Sequence, residues 1–373
     1  MTSRVRYGIV GAGYFGREFA RIIGDMADAV VAGVYSPGDA DVLASEAGCP
    51  AVEDYRSLLD GVDAVIIASP NHVHRDYAVE AAERGIHVFC EKPIALTYAD
   101  CDDMVSACER AGVLFLAGHV MRFMDGVQRA TALIAEGAIG DVVVGRAVRT
   151  GWEDGSAAPT WKKTRAMSGG HLFHHIHELD VLQHLMGDAE KATMISGNAP
   201  QAGARIGDED AVLLATLTMP GDRYATLEWG SVFRRPEHYV TVQGTRGYLE
   251  IDMEEVGVTL VTTDRVERFP LHESAEVDAD RTRENRATSS GGGVTYGDPT
   301  VRPPQWLRTV MQRELAYFTG LVTGTRDADP ALAALTDGSA ARASIATAEA
   351  LTRSAALGRT IEISEIAGAR SSV

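Results

Sequence analysis

The stretch VRYGIVGAGYFG, residues 5–16, limits the possible folds more than any other. A short apolar run ends at Gly11-Ala12-Gly13-Tyr14-Phe15-Gly16, and YFGREFARIIGD after it has helical spacing. G-x-G-x-x-G between a strand and a helix predicts a dinucleotide-binding turn. Gly11 permits the tight turn, a side chain at Gly13 would block a pyrophosphate, and Gly16 lets the helix pack closely. The helix N-terminus offers unpaired N–H groups and a positive dipole end to phosphates. Gly11, Gly13, Tyr14, Phe15 and Gly16 are therefore expected to cradle the cofactor. The residue about 20 positions further on reads the adenosine ribose. Here it is Ser36, neither the acid of an NAD site nor the Arg of an NADP site, while Asp39 and Asp41 disfavour a 2′-phosphate. NAD or NADP is expected, with a slight lean to NAD.

Strands and helices alternate from there. Apolar runs at 29–36, 62–70, 86–93 and 113–120 are separated by helical patterns at 77–85 and 98–112, which predicts a parallel, doubly wound sheet. After Arg122 the period changes to two, at 142–151, 210–221, 223–233, 238–252 and 257–270, with a helix near 126–136 and another over 171–186. This predicts an open, largely antiparallel sheet. The fold class is α/β followed by α+β: a Rossmann-type parallel sheet over 1–122, a substrate and oligomerisation domain over 123–335, and a closing helix and short strand over 336–373. Residues 273–300 are polar and Gly-rich and read as an irregular surface segment. Helices are expected near 304–323 and 336–357.

The formal charge of −17 argues against nucleic acid or an anionic membrane as partner. No run of about 18 uncharged apolar residues is present to span a bilayer. The start runs straight into a strand without the apolar core of a signal peptide, so a cytoplasmic location is expected. Cys49, Cys90, Cys101 and Cys108 show neither CxxC spacing nor the density of a secreted scaffold, and read as reduced thiols.

SGGHLFHHIHELD, residues 168–180, packs four histidines into seven positions. The zinc pattern H-E-x-x-H fails, because Val181 stands where the second ligand belongs, and no metal is expected. In helical phase Leu172, Ile176, Leu179, Leu182 and Met186 form the buried stripe, with His175 beside it. His174, His177, Val181 and His184 share another side.

Ser69-Pro70-Asn71 with His74, followed by Glu91-Lys92-Pro93, then GHVMRF at 118–123 and H-x-x-D at 177–180, resembles the Gfo/Idh/MocA family of NAD(P)-dependent oxidoreductases of sugars, polyols and related alcohols. The likeness runs through nearly the whole chain. It implies an active site between the domains, over the nicotinamide, with Ser69, Pro70, Asn71, His74, Glu91 and Lys92 near the cofactor. It implies that His177 accepts a proton, that Asp180 grips substrate hydroxyls and that Arg122 lies near substrate; for Arg122 a structural ion pair is the alternative. An alcohol that loses a hydride also loses a proton, so the reaction needs a base and a positive donor for the alkoxide. Imidazole and the Lys92 ammonium suit these tasks. A cis bond before Pro93 would turn Lys92 toward the cleft. Trp161 with Lys162 and Lys163 suits stacking on a sugar ring and binding its hydroxyls. One departure stands out. Many members carry an aspartate four residues before the histidine, where this chain has Phe173. His174 or Lys92 is left to supply the polar partner.

The expected activity is hydride transfer between a secondary alcohol of a sugar, glycoside or cyclic polyol and nicotinamide. Two alternatives stay open: an NAD-dependent glycosidase that oxidises its substrate transiently, and a non-catalytic sensor of cofactor or sugar. Relatives assemble as homodimers or homotetramers, and the open sheet is the expected interface.

Overall fold

The computed structural model describes residues 4–152, 161–198, 207–255, 257–287, 298 and 301–368. The chain divides into two units. In the first, the apolar runs form β1 (Val5–Val10), β2 (Ala29–Tyr35), β3 (Ala64–Ile67), β4 (His87–Glu91) and β5 (Phe115–Gly118). They pair in parallel in the order β2-β1-β3-β4-β5. All four residues of β3 are buried, as an unbroken apolar run inside a two-sided sheet requires. Helix Tyr14–Asp25 buries Phe19, Ile22 and Ile23, at helical spacing, and the Phe19 ring meets Phe89 of β4 edge-on at 5.1 Å. The helix Gln305–Thr323 also clusters with this unit, although the boundaries drawn from sequence put it in the substrate domain. Thr319 on that helix hydrogen-bonds the Tyr7 hydroxyl of β1 at 2.8 Å.

The second unit is built on nine strands: β6 (Val142–Trp152), β7 (Lys191–Gly197), β8 (Val212–Met219), β9 (Arg223–Gly230), β10 (Val232–Gly244), β11 (Gly247–Asp252), β12 (Gly257–Thr262), β13 (Val266–Phe269) and β14 (Ile361–Glu362). Their order is β13-β12-β11-β10-β6-β9-β8-β7-β14. Every pairing is antiparallel except β6 with β9. Helix His177–Met186 packs on β6 and β10. Gly145 on β6 allows this approach, since a Cβ there would collide with Met186 and Leu182.

Several elements differ from the sequence expectation. The run 238–252 is two strands, because a turn at Thr245 and Arg246 folds β11 back on β10. The run 257–270 likewise makes the hairpin β12–β13. Strand β7 was not expected, because KATMISG has too few large apolar residues to stand out. The histidine helix is interrupted: one turn spans His171–His174, His175 leaves helical geometry at φ −109 and ψ 42, and a second helix runs His177–Met186. The predicted apolar stripe is nonetheless buried. Within 273–300, Ala275–Ala287 is a helix rather than irregular. It has no apolar stripe and is held by charge. Asp278 accepts the Leu271 and His272 backbone N–H groups at 2.7 and 3.1 Å. Residues 288–297 and 299–300 of that segment lie outside the described residues.

Candidate active site

In the first unit the Gly-rich turn has the shape that phosphate binding requires. Gly11 sits at φ +106, and a Cβ on it would lie 2.7 Å from the Ala68 carbonyl oxygen. A Cβ on Gly16 would run into the Gly11 carbonyl, so this glycine closes the turn on itself as well as easing helix packing. Gly13 is the N-cap of helix Tyr14–Asp25, with no side-chain cap and no acidic residue in the first turn. A Cβ on Gly13 would meet nothing within 4 Å. The protein therefore keeps open, beside unsatisfied N–H groups, the space a side chain would fill. The Ser69 hydroxyl, just beyond β3, is buried with no hydrogen-bond partner among the described residues. An open cradle and an orphaned hydroxyl at the C-terminal strand ends fit a dinucleotide. At the ribose position Ser36 donates to the Asp39 carboxylate at 2.8 Å, so the acid that disfavours a 2′-phosphate is held through Ser36.

Asn71 is buried in the turn after β3. His74 is fully buried. Its Nε2 faces the Ser69 carbonyl at 2.9 Å, and its Nδ1 faces the Pro93 and Ile94 carbonyls at 3.1 and 3.3 Å. Both ring nitrogens are engaged by backbone, so His74 ties the 69–74 turn to the Lys92–Pro93 turn. Burial pushes its pKa below the ordinary imidazole value. The Lys92–Pro93 peptide is cis. Glu91 accepts the Lys92 backbone N–H at 3.1 Å. Burial raises its carboxyl to about 7, against the pull of the Lys92 charge.

In the second unit Gly169 and Gly170, at φ +82 and +85, turn the chain into the histidine segment. A Cβ on Gly169 would sit 2.6 Å from Phe173, which is buried against this glycine, so the residue in place of the family aspartate is a packing residue. The His175 ring lies 4.5 Å from that of His171 and 4.9 Å from that of His174. Burial, then the Lys163 and Arg149 charges, lower His171 to about 3, so it stays neutral. His174 and His177 are half-buried. No group of three or more metal-ligating side chains has the geometry for an ion among the described residues.

Three residues expected to bind substrate are engaged elsewhere. Arg122 and Asp180 form a buried two-point ion pair, Nε to Oδ2 at 2.9 Å and Nη2 to Oδ1 at 2.6 Å. Arg122 thus makes the ion pair named as its alternative, and both Asp180 oxygens accept from the guanidinium. His184 joins this group, with Nδ1 3.2 Å from Arg122 Nη1, and is lowered to about 4 by burial and then by the Arg122 charge. Lys163 pairs with Glu209 at 2.6 Å. Trp161 opens the short turn Trp161–Lys163, and Asp208 N bonds the Lys163 carbonyl at 3.1 Å.

One cluster was missed. Glu178 is fully buried, and its Oε1 bonds Arg149 of β6 at 3.1 Å and His238 of β10 at 2.6 Å. Burial pushes the Glu178 carboxyl up, but the Arg149 charge and the His238 hydrogen bond outweigh it, and the group lies well below the usual carboxylate range. Glu178 follows His177 directly, which was a visible signal. His238 sits in an ordinary alternating strand and gave none.

Comparison with known proteins adds to this geometry. The family model described as "Oxidoreductase family, NAD-binding Rossmann fold" matches residues 5–119, and its companion "Oxidoreductase family, C-terminal alpha/beta domain" matches 131–363. The chain is 46% identical over 372 residues to 2,7-anhydro-N-acetylneuraminate hydratase of Mediterraneibacter gnavus, covering 99% of both chains. It is 43% identical over 365 residues to the enzyme of the same name from Escherichia coli, covering 97% of this chain and 98% of that protein. Among solved structures, levoglucosan dehydrogenase in complex with NADH and L-sorbose superimposes with a TM-score of 0.77 at 20% identity, over 98% of this chain and 100% of that one, a likeness of fold.

Proposed function

From the premise that this chain belongs to the Gfo/Idh/MocA family of NAD-binding oxidoreductases, we propose that it adds water to an anhydro sugar acid of the 2,7-anhydro-N-acetylneuraminate type, opening the oxygen bridge at the anomeric carbon. The observation that carries this reading is end-to-end identity of 46% and 43% with two proteins named as hydratases of that compound. The simple dehydrogenase expected from sequence becomes the second reading, favoured by the family's description as oxidoreductases.

Hydration changes no overall oxidation state, yet the chain carries an NAD-binding domain. Transient oxidation reconciles the two. Gly11–Gly16 would hold NAD, which would supply reversible hydride transfer at the carbinol carbon two positions from the anomeric centre. The protein's own side chains manage the protons. His177 accepts the hydroxyl proton, and the Lys92 ammonium steadies the negative charge on the same oxygen. The resulting ketone acidifies the C–H between it and the anomeric carbon. Loss of that proton, with cleavage of the C–O bridge and protonation of the departing oxygen, gives a conjugated ketone. Water then adds its OH to the anomeric carbon and a proton to the carbon between. His177 and Lys92 return the carbinol proton.

Incubation with NAD and 2,7-anhydro-N-acetylneuraminate in H2(18)O tests the reading by mass spectrometry. N-acetylneuraminate carrying one heavy oxygen is expected. A ketone product with stoichiometric reduced cofactor would support the second reading instead.

A further inference from the structure

We propose that His238 is a second proton-transfer residue and that buried Glu178 is its positioning carboxylate. This inference rests on the proposed hydration. The chemistry above moves protons at two separate places: the carbinol oxygen, and the carbon–bridge pair beside the anomeric centre. One imidazole is assigned to the first. The second needs a group able to take a proton from carbon and give one to oxygen near neutral pH, which again describes imidazole.

A carboxylate–imidazole pair is what this chain lacks at Phe173, and the fold supplies one elsewhere. His238 and Arg149 are register partners on adjacent strands β10 and β6, so both side chains reach the same sheet face. Glu178 descends onto that face from helix His177–Met186 and bonds both through Oε1, His238 Nε2 at 2.6 Å and Arg149 at 3.1 Å. Its other oxygen, Oε2, is buried and makes no hydrogen bond among the described residues. The carboxylate fixes which nitrogen of His238 carries a proton: Nε2 donates to Glu178, leaving Nδ1 as the basic nitrogen. The His238 side chain is 19% exposed, and no protein hydrogen bond to Nδ1 is made among the described residues. A purely structural staple has no need of a second ring nitrogen left open in a part-exposed side chain; a proton carrier does.

His238→Gln separates the two roles, because its amide nitrogen still donates to Glu178 while nothing replaces Nδ1. The probe is 2,7-anhydro-N-acetylneuraminate with NAD in D2O, read three ways: deuterium at the carbon beside the anomeric centre by NMR, the transient at 340 nm, and product formation. For H238Q the expected result is an unchanged melting temperature and a retained 340 nm transient, with carbon–deuterium exchange and turnover each down by about 100-fold or more. Full exchange and turnover in H238Q would overturn the proposal and leave the hydration reading intact. No hydration by the wild-type protein would overturn both. Should H238Q fail to fold, Glu178→Gln decides: exchange must fall about 10-fold or more while the transient persists, and equal exchange to wild type overturns the role of the pair.

Discussion

At the scale of single residues, the two units make different demands. The cradle is built by omission, and two glycines in it should respond in opposite ways. Gly13→Ala places a methyl group in empty space, so the protein should fold with its melting temperature unchanged. Its NAD affinity should fall by roughly 10-fold or more, about 1.4 kcal/mol. Gly16→Ala drives a methyl into the Gly11 carbonyl and should lower both stability and NAD binding. Calorimetric titration with NAD beside a thermal melt separates the two cases. Lys92→Met should keep NAD binding and reduce kcat by about 100-fold or more, since it removes the donor to the developing alkoxide. Equal kcat in that variant would remove Lys92 from the chemistry. The buried Arg122–Asp180 ion pair carries a stability prediction. Asp180→Asn leaves a buried guanidinium without its countercharge, at a cost of about 3–5 kcal/mol. The paired change Arg122→Met with Asp180→Leu should recover most of that in denaturant unfolding. A KM effect from Asp180→Asn without loss of stability would restore the substrate-gripping role.

At the scale of elements, the histidine segment shows what sequence carries and what it does not. The apolar positions of 171–186 named the buried face correctly, because burial depends on local spacing. The break at His175 was invisible, because helical phase read across it still kept Leu172 and Ile176 inside. Strand β7 and the helix Ala275–Ala287 escaped for a related reason: neither has the apolar contrast from which periodicity is read. The glycine turn was legible because its motif lies in six consecutive residues, although the atom that excludes a side chain at Gly11 belongs to Ala68. The Glu178–Arg149–His238 group was not, since it depends on strand register between positions 149 and 238. The same elements set the pH response. His171, lowered to about 3, and His184, lowered to about 4, stay neutral in the folded state while the unfolded chain takes up protons below about 6.5. Their stabilisation is full above that pH and is lost as pH falls toward 4 and 3. Glu178, held low, acts in the same direction at lower pH. Glu91, raised to about 7, opposes them, because it binds its proton more tightly when folded and destabilises as pH rises from about 4.5 to 7. With His74 and His87 also lowered, and Asp188 and Glu250 also raised by burial, four histidines against three carboxyls predict a melting temperature lower at pH 5 than at pH 7.5. A higher melting temperature at pH 5 would contradict the assigned directions.

At the scale of the whole molecule, no described helix is long and apolar enough to cross a membrane. The nine-stranded sheet bears Ile195, Leu214 and Tyr224 at 74%, 46% and 55% exposure. Ile195 pairs with Leu214, and Tyr224 with Thr218 on the same side of β8, so the three share one face. An exposed apolar face of this kind suits pairing with a second copy of the chain, the interface expected from sequence. Leu214→Arg with Ile195→Glu should shift the protein to monomer in sedimentation without loss of fold, and an unchanged mass would move the interface elsewhere. The proposed hydration has a nicotinamide-binding oxidoreductase fold perform a reaction without net oxidation. The direct measurement is the ratio of reduced cofactor to product, with NAD supplied at a small fraction of the 2,7-anhydro-N-acetylneuraminate and absorbance followed at 340 nm. Many product molecules per NAD are expected, with reduced cofactor never exceeding the concentration of active sites. Product formation that stops when one reduced cofactor has accumulated per molecule converted would contradict it.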